Sequence, residues 1–189
     1  MGGDAIIDTG AILALLDRTD QWHRRCTDAL RQLRLPLWTS EAVLTELFHL
    51  VGDNTREVRA AWKFVRSGAL TIAAMSNDDL PLLDALMHQY RDRPMDFADA
   101  TLVRVAERES LSLILTIDHD DFETYRIQGR RRFRLVPGRT LGSSGKLDAF
   151  YCVAINFTNL LHRSLDSTCQ SMANSAQQDH TQLKRMLVF

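Results

Sequence analysis

The sequence predicts an α/β fold in which a parallel β-sheet is covered by helices on both faces. Short apolar runs alternate with segments of helical periodicity along the first 141 residues, and this alternation is typical of βαβ units. The chain has 189 residues, of which 45% are hydrophobic and 25% are charged, a composition that fits one compact domain with a sizeable core. The formal net charge of -1 excludes a polybasic nucleic-acid binder of the histone kind, but it does not exclude nucleic acid as a substrate.

Apolar runs define the predicted strands, and segments with a period of 3.6 residues define the helices between them. The predicted strands are Ala5–Ile7, Leu37–Thr39, Ala69–Ala73, Leu113–Thr116 and Phe133–Val136. The predicted helices are a first one opening over Ala11–Leu16, then Trp22–Leu33, 41–51, 56–66, Pro81–Arg91 and Phe97–Glu109. Pro81 fits the first turn of its helix, because an N–H at that position has no partner within the helix.

The last part of the chain differs in composition from the rest. Residues 1–141 contain 18 Arg and a single Lys, whereas residues 142–189 contain two of each. The Gly/Ser-rich segment Leu141–Lys146 is typical of a linker. We therefore expect a domain over 1–140, a linker over 141–146 and an extension over 147–189. The first part of the extension has the apolar pattern of one amphipathic helix, and its polar remainder favours disorder.

The cysteines and the hydropathy pattern indicate the cellular compartment of the protein. Cys26, Cys152 and Cys169 form no CxxC pair and leave one thiol over under any pairing, which argues against a disulfide framework and against a zinc ribbon. No run approaches the roughly 18 apolar residues that span a bilayer, and the amino terminus lacks the basic region of a signal peptide. We expect a soluble, cytoplasmic protein.

Acidic side chains recur where predicted strands end and helices begin. Asp8 follows the first strand directly, and Asp118 follows the fourth strand after one intervening residue. Ligands of open parallel sheets bind outside these carboxyl ends. Glu46 lies in a helix that is apolar nearly all round, where a carboxylate should be paired or bound to a cation. Asp96 and Asp99 are three residues apart at the start of another helix and so lie on one helical face. Together, four elements offer carboxylates that a single crevice could collect.

Several of these charged segments also have a purely structural interpretation. The segment Asp96–Asp99 has the pattern of a helix N-cap followed by an acid at the third helical position. The acids of Asp118–Asp121 can likewise open a helix at Phe122. The run Arg130–Arg132 fits a solvated loop as well as it fits phosphate contacts. His119 lies within an acidic motif, but chemistry by a metal-activated water does not need a histidine base.

Four motifs occur in a fixed order, and together they carry a family resemblance. They are Ile7–Asp17 (IDTGAILALLD), Thr39–Glu46 (TSEAVLTE), Pro94–Val103 (PMDFADATLV) and Leu115–Phe122 (LTIDHDDF). In these residues, their order and their spacing, the chain resembles the PIN-domain nucleases from about residue 4 to 138. It most closely resembles the VapC-type toxins of bacterial toxin–antitoxin pairs.

The resemblance implies a three-layer fold with a five-stranded parallel sheet between helices. It also implies an acidic pocket that binds Mg²⁺ or Mn²⁺ and hydrolyses RNA phosphodiesters. The catalytic and metal-binding quartet would be Asp8, Glu46, Asp99 and Asp118, with Asp96 and Thr9 as auxiliary residues and Asp121 nearby.

The resemblance further implies a cognate antitoxin and a homodimer. The helices around Trp22–Leu33 and Val58–Val65 are plausible groove and dimer surfaces, although such apolar stripes more often belong to an ordinary core.

The chemistry of the residues agrees with a metal site. Crowded carboxylates repel one another and take up protons unless a cation is present. Mg²⁺ prefers oxygen ligands and keeps several waters. The sequence therefore predicts in-line attack of a metal-activated water on the scissile phosphate, with no side-chain nucleophile.

Other acid-containing enzyme classes fit the sequence less well. A phosphatase of the haloacid-dehalogenase type needs DxDx[TV], whereas Asp8 is followed by Thr9 and Gly10. A response-regulator receiver needs a Lys late in the fold, and Lys63 stands too early. The remaining alternatives are a catalytically weak PIN-like interaction module and a solitary PIN nuclease in RNA processing. The presence of all four acids argues against the interaction module.

Overall fold

The computed structural model describes residues 3–93 and 95–139. The chain divides into two units, 1–139 and 140–189, and the described residues belong to the first of them. The linker and the extension expected over 141–189 lie outside the described residues. Within the described part of the chain, no helix has the length and apolar character needed to cross a membrane.

A central sheet of five parallel strands confirms the predicted fold class. Its strands are β1 (Ala5–Ile7), β2 (Leu37–Ser40), β3 (Leu70–Ala73), β4 (Leu113–Leu115) and β7 (Arg134–Val136), in the order β3-β2-β1-β4-β7. A separate antiparallel ribbon consists of β5 (Arg126–Ile127) and β6 (Arg131–Arg132). The sequence pattern does not predict this ribbon, because strands of two residues have no measurable period.

The helices of the described chain follow the predicted order. They are α1 (Thr9–Leu16), α2 (His23–Leu30), α3 (Glu41–Val51), α4 (Thr55–Val65), α5 (Leu80–Gln89), α6 (Phe97–Arg108) and α7 (His119–Thr124). α1 begins two residues before the predicted start because Asp8 caps it, accepting a hydrogen bond from the Thr9 N–H. α7 begins at His119 rather than at Phe122, since Asp118 is its N-cap residue.

Strand β1 lies at the centre of the sheet, and its position decides where a site can form. It pairs with β2 on one side and with β4 on the other, with Ile7 opposite Leu115. All three β1 residues are fully buried, as expected for a central strand covered on both faces. The strand order reverses between β1 and β4, so a crevice is expected at their carboxyl ends. Asp8 and Asp118 follow these two ends.

Polar contacts between helices keep this edge of the sheet in place. Ser40 caps α3 by accepting a hydrogen bond from Val43 N (3.2 Å), and its hydroxyl lies 2.7 Å from the buried Thr101 hydroxyl of α6. The buried Asp79, next to the first residue of α5, accepts a 2.7 Å hydrogen bond from Arg104 Nε of α6. These contacts fix α3 and α5 relative to α6, which carries two of the acidic residues.

Candidate functional site

The structure brings the predicted acidic residues of four elements to one edge of the sheet. Asp8 follows β1, Glu46 lies in α3, Asp96 and Asp99 lie at the start of α6, and Asp118 caps α7. Their proximity is visible in their mutual electrostatic effects. After burial, which has the largest effect, the negative charges of Glu46, Asp118 and Asp96 raise the pKa of Asp8.

Asp8 is the most deeply buried acid of the group. Its side chain is 7% exposed and accepts hydrogen bonds from Thr9 N (2.5 Å) and from the Thr116 hydroxyl (3.0 Å). Burial, followed by the charges of its acidic neighbours, raises its pKa to about 8. Gly10, two residues after Asp8, leaves room for the Ile117 side chain, because a Cβ at Gly10 would lie 2.9 Å from Ile117 Cγ1.

Glu46 reaches the site from the buried side of α3. The Thr9 hydroxyl donates a 2.6 Å hydrogen bond to Glu46 Oε2, so the residue beside Asp8 also orients Glu46. Burial raises the pKa of Glu46, and the charge of Asp96 raises it further. This contact agrees with the prediction that a carboxylate on such an apolar helix needs a partner.

The start of α6 contributes two carboxylates with different surroundings. Asp96 is the N-cap residue and accepts a 2.7 Å hydrogen bond from Asp99 N. The Tyr125 hydroxyl donates a 3.0 Å hydrogen bond to Asp99 Oδ2. Burial first, and then the charges of Asp96 and Asp8, raises the pKa of Asp99 well above its ordinary value. Asp96 therefore has the structural role of a cap and also lies in the acidic group.

Asp118 completes the group from the start of α7. Its side chain accepts a hydrogen bond from Asp121 N (3.1 Å), and its own N–H donates to the Thr116 hydroxyl (2.9 Å). Thr116 is fully buried, and its hydroxyl joins Asp118 to Asp8 because it hydrogen-bonds both residues. Asp121 lies beside the group, and burial together with the charge of Asp118 raises its pKa to about 6. Arg93 pairs with Asp121 at 3.3 Å.

His119 has a structural position rather than a place among the acids. Its two ring nitrogens lie 3.1 Å from the Ile117 carbonyl oxygen and 2.7 Å from the Pro137 carbonyl oxygen. Its ring packs against Trp22 with a centroid separation of 5.4 Å. These contacts tie α7 to the end of β7 and favour the structural interpretation of this histidine.

The arginine run lies on the small antiparallel ribbon. Arg130 is in the turn, Arg131 and Arg132 form β6, and all three side chains are exposed. The fold leaves these guanidinium groups free to meet a polyanion, but it also fits the solvated-loop interpretation.

Two residues of the site were missed by sequence reasoning. Thr116 stands two residues before Asp118, and its spacing could have drawn attention to it. Tyr125 stands far from Asp99 along the chain, and no sequence signal connects the two.

The donor chemistry of this edge fits a hard divalent cation. Every acid of the group offers carboxylate oxygen. Burial and the charges of neighbouring acids disfavour the charged forms of four of them, a cost that a bound cation removes; these are Asp8, Glu46, Asp96 and Asp99. Within residues 3–93 and 95–139, no group of three or more acidic, His or Cys side chains has the geometry to hold a metal ion as it stands. Carboxylate oxygens are the ligands that Mg²⁺ and Mn²⁺ prefer in proteins.

The sequence matches a known protein family and one characterised relative. Residues 5–127 match the family model described as PIN domain. Ribonuclease VapC26 of Mycobacterium tuberculosis is 29% identical over 142 residues, which cover 70% of this chain and 99% of that protein.

Two solved structures share the fold. One is the crystal structure of Mycobacterium tuberculosis VapC20, described as a sarcin-ricin loop cleaving toxin, at 23% identity and a TM-score of 0.55, covering 61% of this chain and 91% of that one. The other is a toxin–antitoxin complex from Klebsiella pneumoniae, at 21% identity and a TM-score of 0.50, covering 64% and 91%.

Proposed function

This chain belongs to the PIN-domain family, and from that premise we propose that it is a divalent-metal-dependent endoribonuclease and the toxin of a toxin–antitoxin pair. One observation carries the proposal. Four elements direct carboxylates to the carboxyl edge of β1 and β4, where burial and the charges of neighbouring acids raise the pKa of Asp8 and of Asp99. Placing like charges close together in a buried site lowers folding stability, and such arrangements are typical of functional sites.

The proposed cation ligands are the acids of the predicted quartet. Asp8, Glu46, Asp99 and Asp118 would hold Mg²⁺ or Mn²⁺, with Asp96 and Thr9 as auxiliary residues. When bound, the cation would supply a polarised water as nucleophile and would neutralise charge on the scissile phosphate.

The protein's own residues prepare this pocket by orienting the acids. The Thr9 hydroxyl holds Glu46 Oε2, and the Thr116 hydroxyl holds Asp8 Oδ2 while accepting from the Asp118 N–H. Such fixed hydrogen bonds reduce the reorganisation that the carboxylates would need on binding a cation.

We propose that Arg130, Arg131 and Arg132 contact RNA phosphates. The exposure of these side chains on a short ribbon supports this role, since guanidinium groups bind phosphate oxygens through a planar fork. RNA recognition would otherwise depend on the shape of the target and on its unpaired bases.

A cognate antitoxin is the proposed protein partner. The relative of this fold from Klebsiella pneumoniae was solved as a toxin–antitoxin complex, which supports the same kind of partner here. On α4, Trp62 is 49% exposed and packs against Phe48 of α3 at 4.6 Å, so the Val58–Val65 segment retains an apolar surface. In contrast, Trp22 before α2 is partly covered by His119. The homodimer stays a prediction.

Cleavage of RNA by the purified protein, separated from any antitoxin, tests the proposal. We expect structured or single-stranded RNA to be cut in Mg²⁺ or Mn²⁺, and the cutting to stop in EDTA. Asp8→Asn and Asp99→Asn should each abolish cleavage while the protein remains folded, because each removes a charged cation ligand.

Asp28→Asn is the matched control for these two substitutions. Asp28 is an exposed acid that forms a surface ion pair with Arg31, so its loss should leave cleavage unchanged. Wild-type protein that left a broad panel of RNAs intact in both metals would overturn the nuclease proposal.

A further inference from the structure

Tyr125 is a fully buried tyrosine whose hydroxyl reaches into the acidic group. It directly follows α7, and the hydroxyl donates a 3.0 Å hydrogen bond to Asp99 Oδ2. Phe122 packs against the ring edge-on at 5.4 Å, and Tyr90 does so at 5.1 Å. Because these aromatic contacts fix the ring, the packing of the core decides where the hydroxyl lies.

The Asp99 carboxylate is held at one oxygen and left open at the other. Its main-chain N–H is tied to Asp96 Oδ1 at 2.7 Å, which fixes the backbone of the first turn of α6. Among the described residues, Tyr125 donates to Oδ2 and nothing donates to Oδ1. The rotation of the carboxylate plane is therefore set by Tyr125.

The same short helix links two acids of the site. Asp118 caps the amino end of α7, and Tyr125 follows its carboxyl end. A displacement of α7 would move Asp118 directly and would move Asp99 through the hydroxyl of Tyr125.

We propose that Tyr125 is a positioning residue for the cation site, whose hydroxyl orients the Asp99 carboxylate so that Oδ1 is available to a divalent cation. This inference rests on the proposed metal-dependent function. Hydrogen bonds to ligating side chains commonly change metal affinity by about 10–100-fold when they are removed. A hydroxyl that served only to satisfy a buried polar group would contribute to folding stability and leave metal affinity unchanged.

The test compares two variants, each of which loses the hydroxyl of one tyrosine. Tyr125→Phe keeps the buried ring and removes the donor to Asp99. Tyr90→Phe is the control, since the Tyr90 hydroxyl accepts from Arg126 N at 3.0 Å and its ring packs on Tyr125. Mn²⁺ affinity is measured by isothermal titration calorimetry on the full chain, and folding is measured by thermal unfolding in EDTA.

We expect Mn²⁺ to bind Tyr125→Phe about tenfold more weakly than wild type and to bind Tyr90→Phe as it binds wild type. RNA cleavage by Tyr125→Phe should fall at low Mn²⁺ and recover at saturating Mn²⁺, which a general loss of structure would not produce. Unchanged Mn²⁺ affinity in Tyr125→Phe, or equal weakening in both variants, would overturn the positioning role while leaving the nuclease proposal intact. Wild-type protein that bound no Mn²⁺ at all would instead overturn the cation site itself.

Discussion

Asp8→Asn should make the metal-free protein more stable while it removes activity. Asp8 is buried among other acids, and burial with their charges raises its pKa from 3.8 to about 8. At pH 7 the folded state must therefore keep a proton on Asp8 that the unfolded chain releases. This difference corresponds to at most about 4 kcal/mol of lost stability.

The amide of asparagine fits the surroundings of Asp8. Its oxygen can accept from Thr9 N, and its NH₂ group can donate to the Thr116 oxygen, which already accepts from Asp118 N. A buried amide with imperfect partners has its own desolvation cost, so we expect a net gain of about 1–3 kcal/mol. For a chain of this size the melting temperature in EDTA should rise by about 3–8 °C at pH 7.

The pH dependence of stability gives a second readout of the same prediction. The pKa of Asp8 is higher in the folded protein than in the unfolded chain. Asp8 therefore does not lower the free energy of unfolding below about pH 4, and it lowers it progressively as the pH rises from about 4 to about 8. In that window the wild-type free energy of unfolding should fall by up to about 1.4 kcal/mol per pH unit through this group. The Asp8→Asn profile should be flatter.

Urea unfolding in EDTA at pH 5, 6, 7 and 8 measures both effects, with Asp28→Asn as the control. Saturating Mg²⁺ should then stabilise wild type, by about 2.7 kcal/mol at 100 times its Kd, and should leave Asp8→Asn unaffected. An Asp8→Asn protein that was less stable than wild type in EDTA at pH 7, with the same pH profile, would contradict the predicted cost of burying Asp8.

Two further predictions concern other parts of the domain. Asp79→Asn leaves Arg104 without its buried carboxylate, so we expect a loss of about 2–3 kcal/mol at pH 7 by urea unfolding. Hydrogen bonds from Ser76 and Arg104 hold the pKa of Asp79 at about 2. The stabilisation by the Asp79 carboxylate is therefore present above about pH 4 and is lost as the pH falls through about 2. A variant that was equally destabilised at pH 2 and at pH 7 would contradict this prediction. Replacing Arg130, Arg131 and Arg132 by Ala should raise KM for RNA and flatten its salt dependence, by a slope of about 0.7 per lost phosphate contact on a single strand. Unchanged salt dependence would show that these exposed side chains do not bind phosphate.

Much of the fold could be predicted because its signals are local. The bounds of α3, Glu41–Val51, agree with the predicted 41–51. Ser40 caps its start, and Gly52 ends it with a φ of 56°, a conformation that favours glycine. The five sheet strands were also visible, since buried parallel strands appear as short apolar runs. The β5–β6 ribbon was missed, because β6 consists of two exposed arginines with no apolar alternation.

The acidic motifs had two interpretations from the sequence, as helix caps and as members of an acidic site. In the structure Asp96 and Asp118 are both helix caps, and both side chains also lie near other acids. Each caps a helix by accepting an N–H three residues later, and each also raises the pKa of a neighbouring acid through space. A cap needs one carboxylate oxygen, so the second remains for the pocket. Spacing along the chain cannot separate these roles, because a helix N-terminus attracts acids whether or not a ligand binds there.

The amino acids alone show the order of the acids along the chain and which of them follow a strand or begin a helix. Three arrangements are seen only in the folded protein: Asp8 and Asp118 lie at neighbouring strand ends, Thr116 joins them, and Tyr125 reaches Asp99. The physical reason is that strand and helix signals act over a few neighbouring residues, whereas burial, charge repulsion and a hydrogen bond from a distant side chain depend on distances in space that packing alone sets.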